Sequence, residues 1–254
     1  MVIAIASQKG GVGKTSTALS ISAGVARRGY NVLLVDVDPQ ANSSKVLLPD
    51  YVQVGHEDTT YAPIIERKPL PYFSTNVPNL HITPSHILLS EATLTLTVAK
   101  DHREARLKDQ VEKIKDTYDH IFIDCPPSLD WLTLNAFTAA DRIVVVVSPG
   151  FFELDSLVQL GKVVEEVREY YNPNLELWGF LYTMSDPTVS SRESLKILRQ
   201  SYTNLVFKTV IPRNVDLRDA SFNKQDIFAY KPEAKAAEAY NKLITEMGFG
   251  DGNA

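Results

Sequence analysis

The stretch QKGGVGKTST, residues 8–17, constrains this chain more than any other, because it demands a strand before it and a helix after it. The general phosphate loop is G-x-x-x-x-G-K-[ST]. Gly13-Lys14-Thr15 supplies its end, but Gln8 stands where the first glycine belongs, and the loop carries an early lysine, Lys9, and the pair Gly10-Gly11 instead. Glycines let successive backbone N–H groups, here including that of Val12, turn inward toward phosphate oxygens. Lys14 is placed to reach the outer phosphates, the Thr15 hydroxyl to ligate Mg²⁺, and the helix opening through Ser16 adds its positive dipole end to the same anion.

Both flanking demands are met. VIAIAS (2–7) is an apolar run of strand length, and residues 15–28 space Leu19, Ile21, Ala23, Val25 and Ala26 as a helix that Gly29 closes. NVLLVDVD (31–38) is a second apolar strand ending in two aspartates, so a strand–helix–strand unit and a parallel sheet are expected. Residues 39–79 are proline-rich and read as irregular elaboration. The alternation then resumes with strands at 79–84, 118–127, 142–149 and 175–184 and helices within 86–116 and at 132–141, 155–171 and about 189–203. A last strand is expected at 206–214, and Pro232 is expected to open a closing helix that ends near Met247. Together these predict one doubly wound α/β domain over residues 1–247, with seven or eight mostly parallel strands, helices on both faces and a disordered tail at 248–254.

Composition excludes several classes. No run approaches the roughly 18 apolar residues of a membrane span. The single cysteine, Cys125, rules out an internal disulfide framework and fits a reducing cytoplasm. Net charge is −5, but unevenly spread: from residue 180 onward ten Lys/Arg face nine Asp/Glu, against sixteen and twenty-two before it. A phosphate-binding surface is therefore expected as a local patch in the C-terminal third.

In such sheets ligands sit beyond the C-terminal strand ends. Asp38, after LLVDV, can orient or deprotonate the water that attacks a γ-phosphate, while Asp36 is expected to hold the loop and the Mg²⁺ shell. Asp124, ending IFID, can hold Mg²⁺, so Thr15, Asp36, Asp38 and Asp124 form the expected metal set.

The two-lysine loop resembles the deviant Walker A box, KGGxGK[ST], of the ParA/MinD group of P-loop ATPases, and DVDPQ resembles that group's A′ box. The resemblance continues through NLHITPSH, IDCPPSL, LTLNAFTAAD, TVIPRN and KAAEAY and is similar to Soj-like ParA ATPases, including cyanobacterial McdA-type proteins that space carboxysomes. It implies an ATP- and Mg²⁺-dependent homodimer in which Lys9 crosses to the partner's phosphates and Asp38 supports slow hydrolysis. It implies an adenine cradle at Pro212, Arg213 and Asn214, with Met184 and Asp186 beside the base. It further implies non-specific DNA binding on the nucleoid, with Arg192, Lys196, Arg199, Arg218, Lys224, Lys231 and Lys235 as candidates, and a ParB-like or McdB-like partner that stimulates hydrolysis. Two departures stand out: Asp216 replaces the usual arginine after IPRNV, and Ser148-Pro149-Gly150 replaces the usual Gln/Glu after the valine strand. A lone cysteine disfavours a nitrogenase-type iron protein, and ITEMGFGDGNA has no basic amphipathic face of the MinD kind. No N-terminal operator-binding domain is expected, since the first strand begins at residue 2. The competing readings are a metabolic P-loop enzyme related to amidoligases and a MinD-like regulator.

Overall fold

A computed structural model describes residues 1–150 and 154–250, apart from the side chains of 154–156. Seven strands form one sheet: β1 (Val2–Ala6), β2 (Val32–Asp36), β3 (Phe73–Ser74), β4 (Leu80–Thr83), β5 (His120–Asp124), β6 (Arg142–Val147) and β7 (Glu176–Tyr182). Their order is β3-β4-β2-β5-β1-β6-β7, and every pairing is parallel except β3 with β4. The doubly wound, mostly parallel fold expected from the alternation is present.

Helices α1 (Lys14–Arg27), α2 (Asn42–Leu47), α3 (Tyr61–Ile65), α4 (Ala92–Val98), α5 (Arg106–Ile114), α6 (Trp131–Ala139), α7 (Leu154–Tyr170), α8 (Val189–Ser201), α9 (Asp216–Phe222), α10 (Ile227–Tyr230) and α11 (Lys235–Glu246) cover the sheet. Alternation along each strand divides the core in two. Ala4, Val35, Ile123 and Val145 face Leu96, Leu107, Phe137 and Val164, while Ile3, Leu34, Phe122 and Val146 face Ile21, Val25, Tyr240 and Ile244. Strands buried on both faces carry no polar alternation, which is why they read as continuous apolar runs.

Four expectations needed correction. The 39–79 stretch is not irregular throughout, since it contains α2, α3 and the edge strand β3. The closing helix starts at Lys235 and not at Pro232, and α9 and α10 precede it. Residues 206–214 do not form an eighth strand; only two isolated bridges, Phe180 with Val206 and Ser185 with Pro212, join them to the sheet region. The physical cause is a competing acceptor. The Lys208 and Thr209 N–H groups donate to the Glu246 carboxylate at 2.6 and 2.9 Å, so the ladder is interrupted between its two anchored ends. Finally, the tail is not loose from 248: Phe249 is only 4% exposed and packs among Tyr30, His120, Phe122 and Trp178. Residues 251–254 lie outside the described residues.

Candidate active site

Register brings the candidate residues together. β5 pairs with β1 at Asp124 and Ile5 and with β2 at Asp124 and Asp36, so the phosphate loop and both strand-end aspartates share one edge. The loop turns through Gly11 (φ 77°) and Gly13 (φ 86°), left-handed conformations that suit glycine, and Gly13 is the N-cap of α1. The Thr183 hydroxyl donates to the Val12 carbonyl at 2.7 Å and ties the loop to the end of β7.

Lys14 is 6% exposed, and its Nζ lies 3.6 Å from Asp38 Oδ2 and 3.7 Å from Asp124 Oδ1. Burial works against its charge, but Asp124 and then Asp38 overcome that cost, and its pKa is raised. Asp36 and Asp124 are fully buried. Desolvation, reinforced by Asp124, pushes Asp36 up to about 8, and desolvation likewise raises Asp124. Asp36 is spent internally: its Oδ2 accepts from the Ser44 N–H (3.0 Å) and hydroxyl (2.7 Å), and its Oδ1 from the Asp38 N–H (3.1 Å). Asp124 Oδ2 accepts from the Ser43 hydroxyl at 2.7 Å, whereas the buried Oδ1 accepts no hydrogen bond among the described residues. Lys14, the Ser43 hydroxyl and the Thr15 side chain favour the Asp124 carboxylate against that burial, and its Oδ1 faces the Lys14 ammonium. Among the described residues no three acidic, His or Cys groups are set to hold a metal by themselves, but Asp124 and the Thr15 hydroxyl beside it are oxygen donors of the kind a hard divalent cation takes together with phosphate oxygens and water. Cys125, beside it, is a buried thiol whose pKa burial pushes up, so it is an inert packing residue.

Next to the phosphate loop a cavity of about 630 Å³ opens along α1. Gly13, Thr15 and Ser16 line it together with Met184, which lies against Gly13, with Pro212, Arg213 and Asn214, and with Leu19, Leu217 and Tyr240. Met184 has a left-handed backbone (φ 51°), which turns the chain at the cavity wall. Asp186 is not among the lining residues; its carboxylate accepts from the Thr188 N–H (3.1 Å) and hydroxyl (2.5 Å) at the start of α8. Lys9 does not line the cavity either, and sits with Ser7, Gln8, Ser148 and Leu157 around a small cleft.

A family model described as AAA_31, AAA domain, matches residues 1–177. The chain is 39% identical to the sporulation initiation inhibitor protein Soj of Bacillus subtilis, over 97% of each chain. It is 38% identical to the chromosome partitioning protein ParA of Caulobacter vibrioides, over 97% of this chain and 93% of that one. This chain belongs to the ParA/Soj family of partition ATPases. Among solved structures, the cobyrinic acid a,c-diamide synthase of Mycobacterium smegmatis with bound ADP and magnesium is similar to this ParA/Soj chain with a TM-score of 0.81 at 31% identity, covering 96% and 92% of the two chains. Apo McdA of Cyanothece superposes with a TM-score of 0.85, over 96% and 98%; at 19% identity this likeness shows the fold.

The basic candidates of this ParA/Soj chain occupy different places. Arg192, Lys196 and Arg199 are exposed on α8, with Lys196 4.0 Å from Glu193 and Arg199 donating to the Lys208 carbonyl. Arg218 and Lys224 line the large cavity, and Lys224 Nζ donates to the Pro49 carbonyl at 3.0 Å. Lys231 pairs with Asp216 at 3.1 Å, and that hydrogen bond raises its pKa. Lys235 lines a separate groove with Lys242, two turns on along the same helix, and with Lys208, which sequence spacing gave no reason to group with them. Sequence reasoning also missed Asn42, Lys45 and Val46 of α2 at the cavity wall, and Ser43 and Ser44 behind it. The only signal for these was their position directly after DPQA. No described helix is long and apolar enough to cross a membrane.

Proposed function

We propose that this chain is an ATP-switched positioning protein: with Mg²⁺ and ATP it closes as a homodimer, binds nucleoid DNA without sequence preference, and is released when a ParB-like or McdB-like partner stimulates hydrolysis. The cavity carries this reading. It is lined by Gly13, Thr15 and Ser16 of the phosphate loop and α1 and by Met184 and Pro212–Asn214, a volume and lining suited to a nucleotide with its phosphates at Thr15 and its base at Pro212. The synthase with bound ADP and magnesium, at 31% identity, supports the same pair of ligands here.

Within that reading, Lys14 neutralises the outer phosphates, and Thr15 and Asp124 are the groups that would hold Mg²⁺. The ion, when bound, adds positive charge where the transferred phosphoryl group develops its own negative charge. Asp38 keeps one carboxylate oxygen toward Lys14 and takes the proton of the attacking water, or orients that water. Lys9, which does not line its own cavity, serves the partner's phosphates, so hydrolysis waits for the dimer and is slow. Cargo choice belongs to the partner: a plasmid or chromosome origin under a ParB-like protein, a carboxysome under an McdB-like one. The cytoplasm, at the nucleoid, is where such a cycle runs. The groove lined by Lys208, Lys235 and Lys242 supports an anionic partner, and two copies of a modest patch bind where one does not.

The test is binding to random-sequence duplex DNA with ATP, ADP and no nucleotide across a salt series. The expected result is binding that requires ATP and weakens steeply with salt, as counterion release dictates. Binding indifferent to nucleotide, or none at low salt, would replace this reading with that of a metabolic P-loop enzyme like the synthase.

A further inference from the structure

Helix α2 follows the Asp38 turn directly, and its two consecutive serines are both fully buried. Neighbouring helix positions point about 100° apart, so two adjacent hydroxyls can reach two adjacent strands, whose backbones lie roughly 4.8 Å apart. That is their arrangement. The Ser43 hydroxyl donates to Asp124 Oδ2 at 2.7 Å, at the end of β5, and the Ser44 hydroxyl donates to Asp36 Oδ2 at 2.7 Å, at the end of β2. Ser44 Oγ is itself fixed, accepting the Ser85 N–H at 2.9 Å. Asp36 passes the constraint on, since its other oxygen accepts the N–H of Asp38. Ala41, in the left-handed region (φ 52°), turns the chain between Asp38 and the helix and donates its N–H to the Asp38 carbonyl at 2.8 Å. The remaining surface of α2 faces the cavity through Asn42, Lys45 and Val46.

The geometry points to Ser43 and Ser44 as a pair of positioning residues with divided tasks. Ser43 engages one oxygen of Asp124 and thereby leaves Oδ1, without a hydrogen bond and 3.7 Å from Lys14, as the oxygen offered to the metal. Ser44 holds Asp36 so that the Asp38 turn presents its carboxylate toward Lys14. Helix α2 therefore links the wall of the nucleotide cavity to both carboxylates that act beside it. This assignment rests on the nucleotide reading of the cavity.

The division of tasks predicts two different defects. In Ser43→Ala, the Mg²⁺ concentration giving half-maximal binding of a fluorescent ATP analogue should rise about tenfold or more, the usual cost of losing a partner behind a metal ligand, while binding in EDTA stays unchanged. In Ser44→Ala, the Mg²⁺ midpoint and KM should hold while kcat falls about tenfold or more. Ser43→Cys and Ser44→Cys, close in volume but weak donors, carry the same measurements if an alanine variant fails to fold. Variants that lower only the melting temperature, with Mg²⁺ midpoint and kcat both as in the wild type, would overturn the clamp and leave the nucleotide reading standing. A wild-type chain that shows no Mg²⁺-dependent binding of the analogue would overturn the nucleotide reading and the clamp with it.

Discussion

Four side chains of this protein are costly unless they are used together. Lys14, Asp36, Asp38 and Asp124 are each at most 6% exposed; burial raises the pKa values of Asp36 and Asp124, and their charges with that of Asp38 keep the lysine charged. Such a cluster is tolerated where added positive charge completes it. Asp38 differs from Asp36 in having an oxygen turned toward Lys14 and not spent on a serine. Asp38→Ala should therefore bind ATP and dimerise but hydrolyse about 100-fold more slowly or worse, measured as phosphate release. Hydrolysis equal to the wild type would remove Asp38 from the reaction. Lys9→Ala should retain ATP affinity and lose the ATP-dependent dimer in sedimentation velocity; an unimpaired dimer would remove its role in the partner's site.

Individual elements show how local signals were overridden. The 206–214 segment has the composition of a strand, yet Glu246 of α11 takes two of its N–H groups and leaves a loop pinned at both ends. That loop carries Pro212 into the cavity wall, so the interruption serves the site. The C-terminal segment reads as polar and glycine-rich, yet one aromatic residue fixes it. The Phe249 N–H donates to the Ile244 carbonyl at 3.1 Å, Arg28 donates to the Phe249 carbonyl, and the ring enters the same core layer as α11. Phe249→Ala should lower the free energy of unfolding by about 2–4 kcal/mol, checked by urea denaturation. A change under about 0.5 kcal/mol would show that the ring contributes contact without stability.

At the scale of the whole molecule, the sheet order sets what can meet. β1 lies between β5 and β6, so the loop after β1 is flanked by the end of β5, bearing Asp124, and by β6 and β7, leading to Thr183 and Met184. The opposite, N-terminal ends of the central strands gather the N-terminus, His120 and Phe249. Burial, aided by the nearby N-terminal ammonium, lowers the His120 pKa to about 4 from 6.5. The fold thus favours the neutral ring. Its contribution is complete above pH 6.5 and is lost as pH falls from there toward about 4. Over that window the wild type should lose about 1–3 kcal/mol more than His120→Phe in denaturant titrations, and parallel pH profiles would exclude His120 as the source.

Residues 8–17, the three strand-end aspartates and the alternating apolar runs determined the fold class and the phosphate end of the site by themselves. Each is a local pattern whose physical demand is met within a few residues: backbone turns at Gly11 and Gly13, strands buried on two faces, a carboxylate at a strand end. The rest depended on groups far apart in the chain. Ser43 reaches Asp124 across 81 positions and Thr17 meets Tyr240 across 223. Lys208 joins Lys235 and Lys242 at one groove only because Glu246 draws the 206–214 segment against α11. Hydrogen-bond partners and cavity walls of that kind are set by which strand ends lie side by side, and register between distant strands is a tertiary decision.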